Sequence, residues 1–409
     1  MADRVTVIGW DGSPLEGAAR AALSAATLVA GAGHHLALPE VPHSAERVRL
    51  GSITLAARRI AQHRGTAVVL ANGDPGFFGV VRALRAPEHG LEVEVVPAIS
   101  AVAAAFARAG MPWDDAQVVV AGSRTLRRAV NVCRAHPKVA VLTSPGAGPA
   151  ELALLLGEVH RTFVICEDMG TPHERTTVLT SDKAADHVWR DPCVVIAVGG
   201  HGTGMGTGTV QGTGWLAGRP PGYPEGPRGW ALPPLPYGEE HATATTGESA
   251  QLRAAQLARL GPRPGDLVWD IGTGSGSLAV EAARFGAAVI AIDRNAEACA
   301  RATAAARQAG AQLHVVHGGA PQVLEDLPEP DVVRVGGGGL RTVTACADRR
   351  PERLVTHAAT RDEAEAVGRV LGGAGYAVEC ALLQTLELDT VHWSERDRTV
   401  VFLLSGHRM

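Results

Sequence analysis

Between Val268 and Ser277 the chain reads Val-Trp-Asp-Ile-Gly-Thr-Gly-Ser-Gly-Ser, an apolar run that meets an acid and then alternates glycine with small hydroxyl residues. Gly272, Gly274 and Gly276, with Thr273 between them, let the backbone approach a ligand closely and take angles that a Cβ forbids. A carboxylate at Asp270 beside such a turn suits an ammonium group and would repel the pyrophosphate of a dinucleotide. The next apolar run, Ala288–Ile292, ends in Asp293, where an acid accepts hydrogen bonds from both hydroxyls of a ribose. A cationic amino acid joined to a ribose describes S-adenosylmethionine, and Asp270 and Asp293 point to it together more sharply than either does alone. Further on, the small residues Gly318, Gly319 and Ala320 follow another apolar run, and an adenine ring packs well on such a backbone. An ordinary turn is the alternative reading there.

These residues need strands to aim them and helices to cover the strands. LVWDIG, AVIAID and their neighbours read as strands, with SLAVEAARFG and ACARATAAARQAG as helices between them, which predicts a Rossmann-like parallel sheet. The first half alternates in the same manner: VTVIG, TAVVLA, QVVVAG, VAVLTS, TFVICE and CVVIAVG are separated by Ala-rich helical stretches. No internal repeat relates the halves, so two different α/β domains are expected, over 1–200 and 232–409, joined by a Gly/Pro-rich linker over 201–231. Trp215, Trp230 and Tyr237 lie in or near that stretch, and their bulk implies that part of it docks on a domain.

Composition narrows the function classes. Hydrophobic residues make up 46% and aromatics only 4%, so the cores are built from Ala, Val and Leu. Net charge is -4 and no basic run marks a nucleic-acid surface, so no nucleic-acid partner is expected. The six cysteines are scattered without a C-x-x-C pair, which argues against a metal site or a disulfide framework. Without a signal-like N-terminus or a long apolar run, the expectation is a cytoplasmic protein with no membrane partner.

The motifs also carry a resemblance. RPGDLVWDIGTGSGSLAVEAAR, AAVIAIDRN and the stretch Gly318–Leu340 resemble the precorrin decarboxylase/methyltransferase domain of cobalamin biosynthesis. VTVIGWDG, VVLANGDPGFFGVVRAL, VPAISAVAAAFARAGMPWDDAQVV and CEDMGTPHERTT are similar to the tetrapyrrole methylase domain that accompanies it. The order is that of the fused precorrin-6Y C5,15-methyltransferases (decarboxylating). The resemblance implies a two-lobed N-terminal domain, a class I methyltransferase domain after it, and two S-adenosylmethionine sites. It further implies methylation of ring carbons 5 and 15 with loss of carbon dioxide from the acetate on carbon 12, the first step in the N-terminal domain and the others in the C-terminal one. In the N-terminal domain Gly9, Asp11 and Gly12 match its first loop, Gly73, Asp74, Pro75 and Phe78 its G-D-P loop, and Ala98 and Ser100 its P-x-I-S stretch. The chain departs from the pattern at Ala121–Arg124, at Thr245–Glu248 and at Thr356–Thr360, which touches catalytic detail more than cofactor binding.

A sulfonium methyl is already electrophilic, so alignment supplies much of the rate and no strong base is required. The macrocycle serves as its own electron sink for decarboxylation. What the protein must do is grip carboxylates, for which arginine forks are suited; Arg124, Arg127, Arg128 and Arg253 are the candidate clamps, each with a solvated surface charge as the alternative. His34 and His35 read as exposed loop residues, with the substrate cleft as the other possibility. The Gly336–Gly339 run, Gly337 at its centre, together with Ala358 and Ala359, would give the leaving acetate an uncharged wall. A homo-oligomer is expected. A methyltransferase of another substrate, and a corrinoid-binding protein without turnover, remain open.

Overall fold

The computed structural model describes residues 4–51, 53–191, 193–199, 231 and 249–409. Trp215 and Trp230 of the expected linker, Tyr237 just beyond it, and the departure at Thr245–Glu248 lie outside them.

The first lobe comprises β1 (Arg4–Trp10), α1 (Gly17–Ser24), β2 (Leu28–Gly31), α2 (Gly33–Leu36), β3 (Glu46–Arg49), α3 (Ile53–Ala61), β4 (Ala67–Asn72), α4 (Val80–Leu84) and β5 (Glu92–Val96). Its strands are all parallel in the order β3-β2-β4-β1-β5. Val5, Val7, Leu28, Val69 and Leu84 fill one face and Ile8, Leu23, Val29 and Leu70 the other. That two-sided burial is why β1 and β4 are nearly continuous apolar runs. Helix α5 (Ala101–Ala109), capped by the Ser100 hydroxyl accepting from the Ala103 N–H, leads out of the lobe.

The second lobe comprises β6 (Gln117–Val120), α6 (Leu126–Ala135), β7 (Lys138–Leu142), α7 (Pro149–Leu156), β8 (Thr162–Glu167), β9 (Arg175–Thr180), α8 (Ser181–Ala184) and β10 (Cys193–Val198). Here the expected parallel sheet is corrected: in the order β6-β7-β10-β8-β9, only β6 and β7 run parallel. A loop over 168–174 returns β8 into β9 as an antiparallel pair, and strand direction is not written in apolar alternation.

The C-terminal domain comprises α9 (Ala250–Leu260), β11 (Leu267–Ile271), α10 (Ser277–Arg284), β12 (Ala288–Asp293), α11 (Ala296–Gln308), β13 (His314–His317), β14 (Val332–Val335), α12 (Gly339–Asp348), β15 (Arg353–Ala358), α13 (Arg361–Gly373), β16 (Tyr376–Leu388) and β17 (Glu395–Arg408). Its sheet runs β13-β12-β11-β14-β15-β17-β16, parallel through β15 with β17 antiparallel. Strand order reverses between β11 and β14, and the crevice beyond their carboxyl ends is where such sheets bind ligands. Trp269, Ile271, Val335 and Leu354 pack on one face, while Val268, Val289 and Val355 pack on the other with Leu252 and Leu257 of α9.

The two domains meet at the opposite edge of this sheet. Asn131 of α6, fully buried, donates from Nδ2 to the Gly265 carbonyl at 3.1 Å, just before β11. Arg127 of the same helix donates to the Glu329 carbonyl at 2.7 Å and pairs with Asp331 at 2.9 Å, just before β14.

Candidate cofactor sites

In the N-terminal domain the loops leaving β1, β4 and β5 converge on Gly9. A Cβ there would fall 2.4 Å from the Gly73 carbonyl oxygen, 2.8 Å from the Ala98 nitrogen and 2.9 Å from Pro75, so only glycine lets the three loops meet. The Gly73 N–H donates to the Trp10 carbonyl at 2.8 Å, which locks the G-D-P loop to the first loop. Asp74 folds its own turn by accepting from the Gly76 N–H at 2.8 Å. Beside this junction a cavity of about 470 Å³ is lined by Gly9, Asp11, Ser13, Pro97, Ala98 and Ile99, so the structure brings the first loop and the P-x-I-S stretch together. Burial pushes the Asp11 carboxyl up, but hydrogen bonds from Ser13 and the Ile99 N–H outweigh it and hold the acid below its ordinary value. Ser100 stands next to this group with its hydroxyl engaged in capping α5.

Both histidines lie in the short helix α2 rather than in a loop, and the expected exposure holds for His34 but fails for His35. His34 is exposed and bonded to Asn72 at 2.9 Å, whereas His35 is 1% exposed and accepts from the Ala32 N–H. Burial, aided by the neighbouring His34 and opposed by Asn72, lowers the His35 pKa to about 4, so the ring is neutral at ordinary pH. With Trp10 the two histidines form a ring cluster on the same sheet edge as Gly9 and Gly73. Neither Asn72 nor Trp10 was legible in that role, since Trp10 precedes His34 in the chain by a strand and Asn72 follows it by 38 residues.

In the C-terminal domain the glycine turn is stitched by its neighbours. The N–H groups of Gly272 and Thr273 donate to the Ile292 carbonyl at 2.8 and 3.1 Å, and the Gly274 N–H donates to Asp293 Oδ2 at 3.0 Å. Asp293 Oδ1 accepts from Asn295 at 2.9 Å. Each carboxylate oxygen retains a second lone pair, so Asp293 serves the turn and still has acceptor capacity for a diol. The Gly318 N–H donates to the Asp293 carbonyl at 2.9 Å, and the space beside Gly319 is open, which brings Gly319 and Ala320 to the same edge. Gly276 ends the turn as the residue before α10.

Asp270 is the main correction. It is fully buried, its Oδ1 accepting from Arg334 Nη1 at 3.0 Å and its Oδ2 from the Thr273 hydroxyl at 2.7 Å. The carboxylate faces protein rather than a ligand's ammonium group, because Arg334 lies directly opposite it in the β11–β14 register. Arg334 was the residue missed, although a cation inside the apolar run Val332–Val335 was the available signal. It also corrects the uncharged wall: a Cβ on Gly336 would fall 2.1 Å from Arg334 Nη1, so a cation stands directly behind the glycine run. His357, one strand over, bonds to Gln256 at 3.3 Å, and burial together with Arg334 lowers its pKa to about 4. Gly337 itself has open space where a side chain would go.

The clamp reading is corrected for two arginines. Arg253 is 3% exposed and pairs with the fully buried Glu281 at 3.1 Å and with Ser277, so it braces α9 against α10. Arg127 belongs to the domain contact. Arg124, in the turn after β6, and Arg128 are exposed.

With this geometry in place, known proteins add the following. Residues 17–185 match the Tetrapyrrole (Corrin/Porphyrin) Methylases, and residues 242–386 match the Precorrin methyltransferase domain. A precorrin-6Y C(5,15)-methyltransferase [decarboxylating] from Sinorhizobium sp is 32% identical over 380 residues, 87% of this chain and 84% of its own length. A cobalt-precorrin-7 C(5)-methyltransferase from Salmonella typhimurium is 36% identical over 39% of this chain and 80% of its own. A probable cobalt-precorrin-6B C(15)-methyltransferase (decarboxylating) from Pyrobaculum calidifontis is 34% identical over 34% of this chain and 76% of its own.

Proposed function

The chain belongs to the precorrin-6Y C5,15-methyltransferase (decarboxylating) family, and we infer from that membership and from its two glycine-cradled loop systems how the work is divided within it. It is an S-adenosylmethionine-dependent C-methyltransferase of cobalamin biosynthesis, acting on a precorrin with loss of carbon dioxide. The division is our proposal: the N-terminal domain methylates carbon 5, and the C-terminal domain methylates carbon 15 and releases carbon dioxide from the carbon-12 acetate. Two shorter relatives named separately for the carbon 5 and the decarboxylating carbon 15 activities support it.

Both sites suit the donor. Gly9 and Gly73 leave a cradle in the first, and the turn from Gly272 to Gly274, with Asp293 beside it, offers backbone and carboxylate acceptors in the second. When bound, S-adenosylmethionine supplies a methyl group on a sulfonium that an electron-rich ring carbon displaces. The protein holds that carbon in line and excludes competing geometries. Among the described residues neither site sets a strong base at its centre, in keeping with a nucleophile that is already electron-rich, and His35 is held neutral. Exposed Arg124 remains suited to a substrate carboxylate.

The single observation that carries the reading is the presence of two separate loop systems, around Gly9 and around Gly272. Incubation with precorrin-6Y and labelled S-adenosylmethionine should add two methyl groups and remove one carbon dioxide by mass; a product gaining one methyl without decarboxylation would overturn it. We further propose two donor molecules per chain and a homo-oligomer. The latter is supported by the ribbon of β16 and β17 beyond their pairing with β15, which exposes Leu386 and Val400 on its strands and Val391 and Trp393 in the turn between them, with no further strand paired to it among the described residues. No helix among the described residues is long and apolar enough to cross a membrane.

A further inference from the structure

We propose that Arg334 is a positioning residue that clasps the turn after β11 to the four-glycine turn after β14, so that filling the C-terminal donor pocket and fixing the surface around Gly337 are one coupled event. The proposal rests on the C-terminal domain being the decarboxylating one.

One nitrogen of the guanidinium, Nη1, reaches the Asp270 carboxylate and the Gly272 carbonyl, each at 3.0 Å. The same nitrogen would stand 2.1 Å from a Cβ on Gly336, so the group lies flat against the first residue of the glycine run. The two turns are also in direct contact: the Gly336 N–H donates to the Ile271 carbonyl at 2.7 Å, and a Cβ on Gly272 would come within 3.0 Å of the Gly337 nitrogen. Arg334 is 2% exposed and Asp270 fully buried, so the pair acts in a low-dielectric interior where moving either partner is costly. Thr273 ties the far oxygen of Asp270 to the turn that bears the donor. A displacement at Gly272–Gly274 is thus passed through Asp270 and Arg334 to Gly336, and by reciprocity a displacement at Gly336 returns to the donor turn. Lysine would keep the charge on one nitrogen but lacks the planar group whose Cζ and second nitrogen, Nη2, also lie against Gly336, within 2.3 and 2.7 Å of where its Cβ would be.

Hydrogen exchange of the full chain with S-adenosylhomocysteine tests this without turnover. In the unaltered protein the ligand should slow exchange in 272–276 and also in 336–340, the latter by about fivefold or more. In Arg334→Lys the first segment should remain protected and the second should exchange as it does without ligand. With precorrin-6Y and S-adenosylmethionine, carbon dioxide release and carbon 15 methylation should fall together in the variant while carbon 5 methylation continues. Should Arg334→Lys fold poorly, the charge-neutral pair Asp270→Asn with Arg334→Gln is expected to show the same loss of spread. Protection that still reaches 336–340 in either variant, or that never reaches it in the unaltered chain, would overturn the coupling. Absence of protection at 272–276 in the unaltered chain would overturn the donor site beneath it. Exchange behaving as expected while no carbon dioxide is released would instead reject the functional reading and leave the clasp in place.

Discussion

Asp293 and the two neutral histidines show how a side chain's neighbours set its work. Asp293 holds Gly274 and Asn295 with one lone pair on each oxygen, so replacing it by alanine removes both the turn's anchor and the diol acceptor. Asp293→Ala should weaken donor binding at the C-terminal site by about 1.5 to 3 kcal/mol, the range for a bond to a charged acceptor. Calorimetry should then find one weakened and one unaltered site; equal weakening of both would count against the separation. His35 and His357 each titrate near 4 when folded, against 6.5 ordinarily, because burial disfavours the cation. Between those values the unfolded chain binds protons that the folded chain refuses, so their contribution is intact above 6.5 and is lost as pH falls toward 4. Urea midpoints measured across that window should fall less steeply in His35→Gln than in the unaltered protein.

Turns carry the next level of specification. Gly336 and Gly337 are adjacent and identical in type, yet a side chain at the first would collide with Arg334 while one at the second meets open space. Gly336→Ala should therefore lower the thermal midpoint of the C-terminal domain. Gly337→Val should fold normally, fill the crevice, and depress carbon dioxide release and carbon 15 methylation together with carbon 5 methylation intact, as mass analysis of the product would read. The glycine turn after an acid-ended strand, and the acid ending the next strand, were legible because both lie within a few residues of the feature they build. Asp270's true partner was not: Arg334 lies 64 residues away and becomes its neighbour only through the β11–β14 crossover, which apolar alternation cannot reveal. The same limit hid the antiparallel strands of the second lobe and the burial of Arg253 against Glu281.

At the scale of the whole molecule, the domains are joined by more than the chain between them. Asn131→Ala would leave the Gly265 carbonyl without its buried donor at a cost of about 1 to 3 kcal/mol. A lower unfolding midpoint with unchanged donor stoichiometry is the expected result, and the two should be read on the same sample. The contact through Arg127 and Asn131 falls before β11 and β14, whereas the glycine turns follow those strands. A five-residue strand places these edges roughly 17 Å apart, so helix α6 docks at the end of the sheet away from the crevice. That contact therefore does not border the crevice, and on the proposed division of labour the half-finished macrocycle is expected to depart one domain before the other receives it. Its fate becomes a matter of traffic: a chain disabled only in its first half, mixed with one disabled only in its second, should together complete the product, and a bystander that scavenges free corrinoids should intercept the cargo between them.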